Sequence, residues 1–245
     1  MTPEPKPHLE TQIQENIAAV QSRIAAACQR SGRDPDDLTL VAVSKFQPAE
    51  KIAAAYAYGL RHFGENYLQE ALEKQEKLAG IPGIHWHMVG HVQSRKARDV
   101  AGRFALVHSV DSLKLAKLLA QNMDEGTQEL LLQVNLADEA SKSGLEADFD
   151  GLLTLAQEIK ALPRLRLRGL MCMPPLCPDP EASRPWFKQM AELAARLNQK
   201  LGEPVFNYLS MGTSHDFEAA IEEGATHIRL GESIFGERPS RKQAA

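Results

Sequence analysis

Apolar residues recur along this chain with two different periods. Over residues 9–31, Ile13, Ile17, Val20, Ile24 and Ala27 are spaced three or four apart, which gathers them on one face of a helix. Gly32 follows as a stop signal, because glycine takes up the backbone conformation that ends helices. Residues 38–45, LTLVAVSK, are different: short, nearly all apolar, rich in β-branched side chains, and polar only at the end. A strand buried on both faces has this pattern. It returns in RHFG, IHWHMVG, ALVHSV, ELLLQVNL, RLRGLMCM, FNYLSM and THIRLG. Helix-length segments intervene at about residues 49–58, 68–78, 94–101, 112–122, 148–162, 181–201 and 216–223. Strand followed by helix, repeated, predicts a parallel sheet and an α/β fold. Eight such units in 245 residues favour a single closed (β/α)8 barrel of the TIM type over an open sheet, with an extra N-terminal helix.

Composition narrows the function. A formal charge of −4 leaves no global positive field to attract nucleic acid or an anionic membrane, so a small ligand is expected. Cys28, Cys172 and Cys177 are odd in number and lack a zinc-type spacing, and they read as reduced thiols. The opening MTPEPKPHLE has no apolar run, so neither a secretory signal nor a membrane anchor is expected and the predicted location is cytoplasmic. Residues 1–8 and 238–245 read as solvated tails of one domain spanning 1–245.

In a parallel barrel, reactive groups sit at the C-terminal ends of the strands. Lys45 ends the first strand beside an apolar wall, where desolvation lowers an amine's proton affinity. The neutral amine is the form that attacks an aldehyde, so this position suits imine formation. The plain alternative is a lysine snorkelling to solvent. In YLSMGTSHDFEAAIEEG a strand is expected to end at Ser210, a turn to cover 211–214, and a helix to begin near Asp216. Gly212 would let backbone N–H groups approach an anion, and Ser210, Thr213 and Ser214 offer hydroxyls, so the segment reads as a phosphate cup. Ordinary helix capping is the alternative. Arg229 and Gly231 close the eighth strand beside it, and Arg229 could either neutralise a phosphate or face a ring nitrogen and keep it unprotonated. Asn66 could reach the same mouth or simply serve a turn. His85, His87 and His91 suggest a metal site, but no acidic or cysteine ligand is near in sequence, and alternation puts His85 and His87 on one face. Packing or pocket lining is expected, with no metal. Arg95, Lys96 and Arg98 form a short basic face suited to solvation. Lys142, expected on a loop after the fifth strand, is a second amine that could reach the mouth or simply be exposed.

AVSK ending at Lys45, HFGEN, HWHMVGHVQ, GLMCMPP, LSMGTSHD and RLGESIFGER together resemble the YggS/PROSC family of pyridoxal phosphate homeostasis proteins, in order and over nearly the whole chain. The resemblance implies a barrel like the N-terminal domain of alanine racemase, a fold-type III binder of pyridoxal 5′-phosphate, with Lys45 as the Schiff-base lysine. It further implies that Ser210, Gly212, Thr213, Ser214, Arg229 and Gly231 hold the phosphate end, with Asn66 and His87 nearer the ring. A racemase needs a second base opposite the imine lysine, and only about a dozen residues follow the eighth strand. The expected role is therefore a monomeric carrier that buffers the cofactor or delivers it to apo-enzymes, with no catalytic residues. An amino-acid racemase-like enzyme is the alternative.

Overall fold

A computed structural model describes residues 7–136, 144–175 and 177–237. Its main strands are β1 Thr39–Val43, β2 His62–Glu65, β3 His85–Met88, β4 Leu106–Val110, β5 Gln128–Asn135, β6 Leu165–Cys172, β7 Tyr208–Thr213 and β8 His227–Leu230. Each pairs in parallel with the next, and β8 pairs with β1, which closes the barrel. A two-residue strand, Leu145–Glu146, is added at the end of β5. All eight expected strands are present. Closure satisfies the edges that an open sheet would leave bare.

Two strand ends differ from the sequence expectation. Strand β1 stops at Val43, so Lys45 lies in the turn beyond it. Strand β7 runs on to Thr213, through residues expected to turn. Its register against β8 shifts between Ser210 and Thr213, which absorbs Gly212 at φ +87°. Pairing therefore resumes after an irregularity, where periodicity alone suggested an end.

The helices are α1 Pro7–Ser31, α2 Ala49–Ala57, α3 Leu68–Lys77, α4 Ala97–Val100, α5 Leu113–Gln121, α6 Phe149–Lys160, α7 Arg184–Leu201, α8 Phe217–Glu222 and α9 Glu232–Phe235. The segment expected as one helix over 94–101 is a 3-10 turn, Ser94–Lys96, followed by α4. The short α9 was not anticipated. Ser112 and Asp148 cap α5 and α6, accepting hydrogen bonds from the backbone of Leu115 and Gly151, as side-chain oxygens at helix starts do. None of the described helices is long and apolar enough to cross a membrane.

Helix α1 buries the predicted face, Ile13, Ile17, Val20, Ile24 and Ala27, against α2, α8 and α9. Polar bonds join it and the segment after it to the C-terminal part of the barrel. Asn16 Nδ2 donates to the Ile234 carbonyl at 2.9 Å, and Arg33 Nη1 donates to the carbonyls of Ile221 and Ala225 at 2.7 Å each. Arg23 and Arg30 pair with Glu218 and Glu222.

Branched apolar layers usually fill the interior of such a barrel. Here part of it is polar. His62, His87 and His108, on β2, β3 and β4, touch in sequence, and His108 reaches Ser210 on β7. Strands β4 and β7 are not neighbours in the sheet, so that contact crosses the inside. His227 on β8 lies 6.0 Å, centroid to centroid, from His108. Leu106, Leu131 and Met171 form a small separate apolar cluster, with Tyr208 packed against it.

Burial lowers the basicity of all four rings. His62 is brought down to about 4 and His227 to about 3, while His87 and His108 lie well below the ordinary value of 6.5. They are neutral when folded, whereas the unfolded chain binds a proton on each near pH 6.5. Their contribution is thus fully present above about pH 6.5 and is lost as pH falls toward the folded values, by up to about 1.4 kcal/mol per pH unit for each ring. The urea midpoint should hold at about pH 7.5 and fall steadily from about pH 6.5 to 4.5; a flat midpoint across that lower window contradicts neutral burial.

Candidate functional site

At the C-terminal mouth of the barrel is a cavity of about 320 Å³, within the range of small-molecule pockets. Lys45, Asn66, Thr213, Ser214, Arg229 and Gly231 line it, with Val43, Val89 and Met173 as apolar wall. The structure thus gathers six of the nine residues expected from sequence. His87, Ser210 and Gly212 are not on the wall. His87 and Ser210 lie below it in the buried interior. Gly212 faces α8, where an added Cβ would come within 2.6 Å of Ala220 Cβ. Its positive φ and this close approach explain a glycine here. Lys142 falls outside the described residues.

The turn that carries Lys45 is fastened on both sides. Lys74 Nζ, on α3, donates to the Ser44 carbonyl at 2.6 Å, and Ser44 Oγ donates to Glu65 Oε1 at 2.6 Å. Phe46 N donates to Glu70 Oε1 at 2.6 Å, and Phe46 takes φ +62°, a conformation that costs a non-glycine residue about 1–3 kcal/mol. Lys74 binds Glu65 and Glu70 at 2.7 Å each. Glu65 is 0% exposed; burial raises its carboxyl pKa, against the opposing pull of Lys74 and Ser44. Sequence reading missed this clamp. The available signal was the i,i+4 pair Glu70 and Lys74 after an acid at a strand end.

Asn66 Oδ1 and Gln47 Oε1 are buried without hydrogen-bond partners, and both residues belong to the cavity wall. Unsatisfied buried groups at a cavity are what a polar ligand would satisfy. The expected phosphate cup has a different construction. Asp216 does not cap α8 through its side chain; its Oδ1 accepts from Thr213 N at 2.7 Å and Thr213 Oγ1 at 3.0 Å. The carboxylate turns back because the shifted end of β7 leaves those donors facing it. Further backbone donors come from the start of α9 and engage Ser214, which lines the cavity. Gly231 N and Ser233 N each donate to Ser214 Oγ at 3.3 Å, long bonds that a stronger acceptor could replace.

Arg229, 4% exposed, donates through Nη1 to Ser210 Oγ at 2.7 Å and through Nη2 to the Cys172 carbonyl at 2.9 Å. Burial lowers its pKa, with Asp216 opposing through its charge. A guanidinium remains protonated all the same. The cavity therefore combines an amine, two unsatisfied amide oxygens, backbone and hydroxyl donors, and a buried positive charge. Such a set suits a small anion that also carries hydrogen-bond donors and a group able to react with an amine. Lys96 pairs with Asp99 at 3.7 Å and Arg95 bonds Gln93, so these residues of the basic face are engaged locally. Among the described residues no group of three or more His, Cys, Asp or Glu side chains is disposed to hold a metal ion.

The profile of the alanine racemase N-terminal domain matches residues 12–239. A pyridoxal phosphate homeostasis protein of Pseudomonas aeruginosa is 49% identical over 92% of this chain and 96% of its own. One from Escherichia coli is 42% identical over 94% of this chain and 99% of its own. The structure of PipY from Synechococcus elongatus with PLP bound superposes with a TM-score of 0.81 at 38% identity, covering 92% of this chain and all of PipY.

The clamp yields a stability prediction. Lys74→Met leaves the Glu65 carboxylate buried without its counter-charge, and should cost about 3–5 kcal/mol in urea unfolding. Adding Glu65→Gln should recover part of that loss. A Lys74→Met protein within about 1 kcal/mol of the parent rules out the clamp as a buried ion pair of consequence.

Proposed function

The chain belongs to the family of pyridoxal phosphate homeostasis proteins, whose barrel is that of the alanine racemase N-terminal domain, and from that premise we propose that it binds pyridoxal 5′-phosphate as a Schiff base on Lys45 and buffers or delivers it in the cytoplasm. The observation that carries the reading is the single cavity shared by Lys45, Ser214, Gly231 and Arg229. The cofactor, when bound, supplies an electrophilic aldehyde carbon and an electron-withdrawing ring. Lys45 is held by its turn with its backbone fixed before any ligand arrives, so little ordering remains for the binding step. Ser214, with the N–H groups of Gly231 and Ser233 that now bond it, would hold the phosphate, and Thr213 lines the same wall. Arg229 bears on the phosphate or on the ring nitrogen; in the second case its fixed charge keeps that nitrogen unprotonated. Asn66 and Gln47, whose amide oxygens are unpartnered at the wall, would accept hydrogen bonds from the ligand. Ser210 and His87 act from beneath the wall, without touching the ligand.

A monomeric carrier that hands its ligand to apo-enzymes fits relatives named for homeostasis rather than for a reaction. The racemase-like reading has one observation in its favour: His215 and Glu232 share the wall with Lys45, and either could move a proton. His215 Nε2 is within 2.8 Å of the Cys177 carbonyl, which ties that nitrogen down and disfavours it as a base.

Absorbance of the protein with added pyridoxal phosphate should show an imine band that Lys45→Ala abolishes. Retention of the band in Lys45→Ala moves the bond to another amine and defeats the assignment. Holo-protein should reactivate an apo-enzyme faster than the same amount of free cofactor, and α-deuterium uptake by a panel of amino acids should be absent. Uptake that depends on Lys45 favours the enzyme.

A further inference from the structure

We propose that His62, His87 and His108 form a string of neutral rings with one fixed hydrogen-bond direction, set by Arg229, and that His108 is a positioning residue that sustains the Arg229 charge through Ser210. The direction follows from counting protons. Arg229 Nη1 lies 2.7 Å from Ser210 Oγ, and a guanidinium can only donate. Ser210 must accept there, which leaves its own proton to place. Its other contact is His108 Nδ1 at 2.8 Å. If Ser210 donates to that nitrogen, His108 carries its proton on Nε2, which lies 2.9 Å from His87 Nδ1. His87 then also carries its proton on Nε2, which lies 2.9 Å from His62 Nδ1. His62 is left with the same tautomer. The opposite order would aim two donors at Ser210 Oγ and leave the hydroxyl proton without this acceptor, at a residue that is 0% exposed. An unsatisfied group there is unfavourable.

Every N–H in the string then points away from Arg229 and every accepting lone pair points toward it. Three aligned imidazole dipoles thus lie with their negative ends on the guanidinium side. The hydrogen bonds of Arg229 among the described residues go to a hydroxyl and a carbonyl, not to a carboxylate. A buried charge without a bonded counter-ion needs oriented dipoles around it, and the string supplies them while leaving the charge unneutralised for an anionic ligand. His227 stands beside the string without joining it, because its Nδ1 is 2.9 Å from Thr226 Oγ1. His85 stacks on His62 at 4.7 Å and touches only the far end.

The tautomer claim concerns the ligand-free protein; the binding claim rests on the function proposed above. With ¹⁵N-histidine labelling at neutral pH, long-range ¹H–¹⁵N spectra should show His62, His87 and His108 all neutral with the proton on Nε2. In Arg229→Met at least one ring should switch to Nδ1–H, since Ser210 is then free to accept from His108. A charged or Nδ1–H ring in the parent, or an unchanged pattern in Arg229→Met, overturns the fixed direction. For the second arm, His108→Leu should weaken pyridoxal phosphate binding about tenfold, the equivalent of one lost hydrogen bond to a charged site. His108→Gln can accept from Ser210 and donate to His87, and should restore affinity to within about threefold. Equal affinity of folded His108→Leu and parent overturns the supporting role. If the parent takes up no pyridoxal phosphate at all, the proposed function fails while the tautomer result still decides the string.

Discussion

The pairing of the last strand with the first is the interaction on which the site depends. In β1 and β8, Val41 is in register with Arg229 and Ala42 with Leu230. Residues 45 and 231, far apart along the chain, therefore leave adjacent strand ends into the same mouth. Parallel pairing makes this unavoidable, because every strand delivers its C-terminal end to one side of the barrel. Remove the β1–β8 ladder and the amine-bearing turn parts from the donors at the start of α9. The two halves of the cavity are each ordinary: a turn held by an ion cluster, and a glycine-containing turn into a short helix. Their adjacency gives them chemistry.

Beneath the mouth, the barrel gives up some apolar packing to hold a permanent charge. Four histidines, a serine and an arginine occupy space that Leu or Val would fill at less desolvation cost. The exchange makes sense if the charge must stay available at the cavity floor. A carboxylate partner would neutralise Arg229 and leave the wall with less attraction for an anion. Neutral polar rings let it stay buried and charged together. The clamp at Lys45 uses the opposite arrangement, in which Lys74 is compensated by Glu65 and Glu70. One lysine in this region is bonded to two carboxylates and holds backbone, and one arginine is bonded to a hydroxyl and a carbonyl, with the Asp216 charge acting on it from further off.

Much of the fold could be read from periodicity, since strands buried on both faces differ sharply from amphipathic helices. Lys45, Asn66, Ser214 and Gly231 could be read too, because strand ends in a barrel are marked by a change from apolar to polar residues. His87 and Ser210 lie deeper than their sequence positions indicate, for a physical reason. Alternation tells which face of a strand a residue occupies, but not how deep along the barrel axis it lies. The role of Gly212 was likewise hidden, since close packing against Ala220 involves a neighbouring helix, and no local pattern records it. The bonding of Asp216 to Thr213 was lost with the misplaced end of β7. The Lys74 clamp joins three separate elements, and such clusters have only a faint signature in one sequence.

The ties between α1 and the C-terminal part of the barrel bear on how the protein comes into being on the ribosome. Helix α1 is synthesised before α8 and α9, yet part of its buried face and these polar contacts wait for them. Contacts between such distant parts of a chain are slow to form because the loop between them must first be closed. A nascent chain stalled before β8 would carry the Lys45 turn with neither Arg229 nor the α9 backbone beside it. The cavity is therefore complete only once β8 and α9 have been made, and chains that stop short of them lack half of its wall.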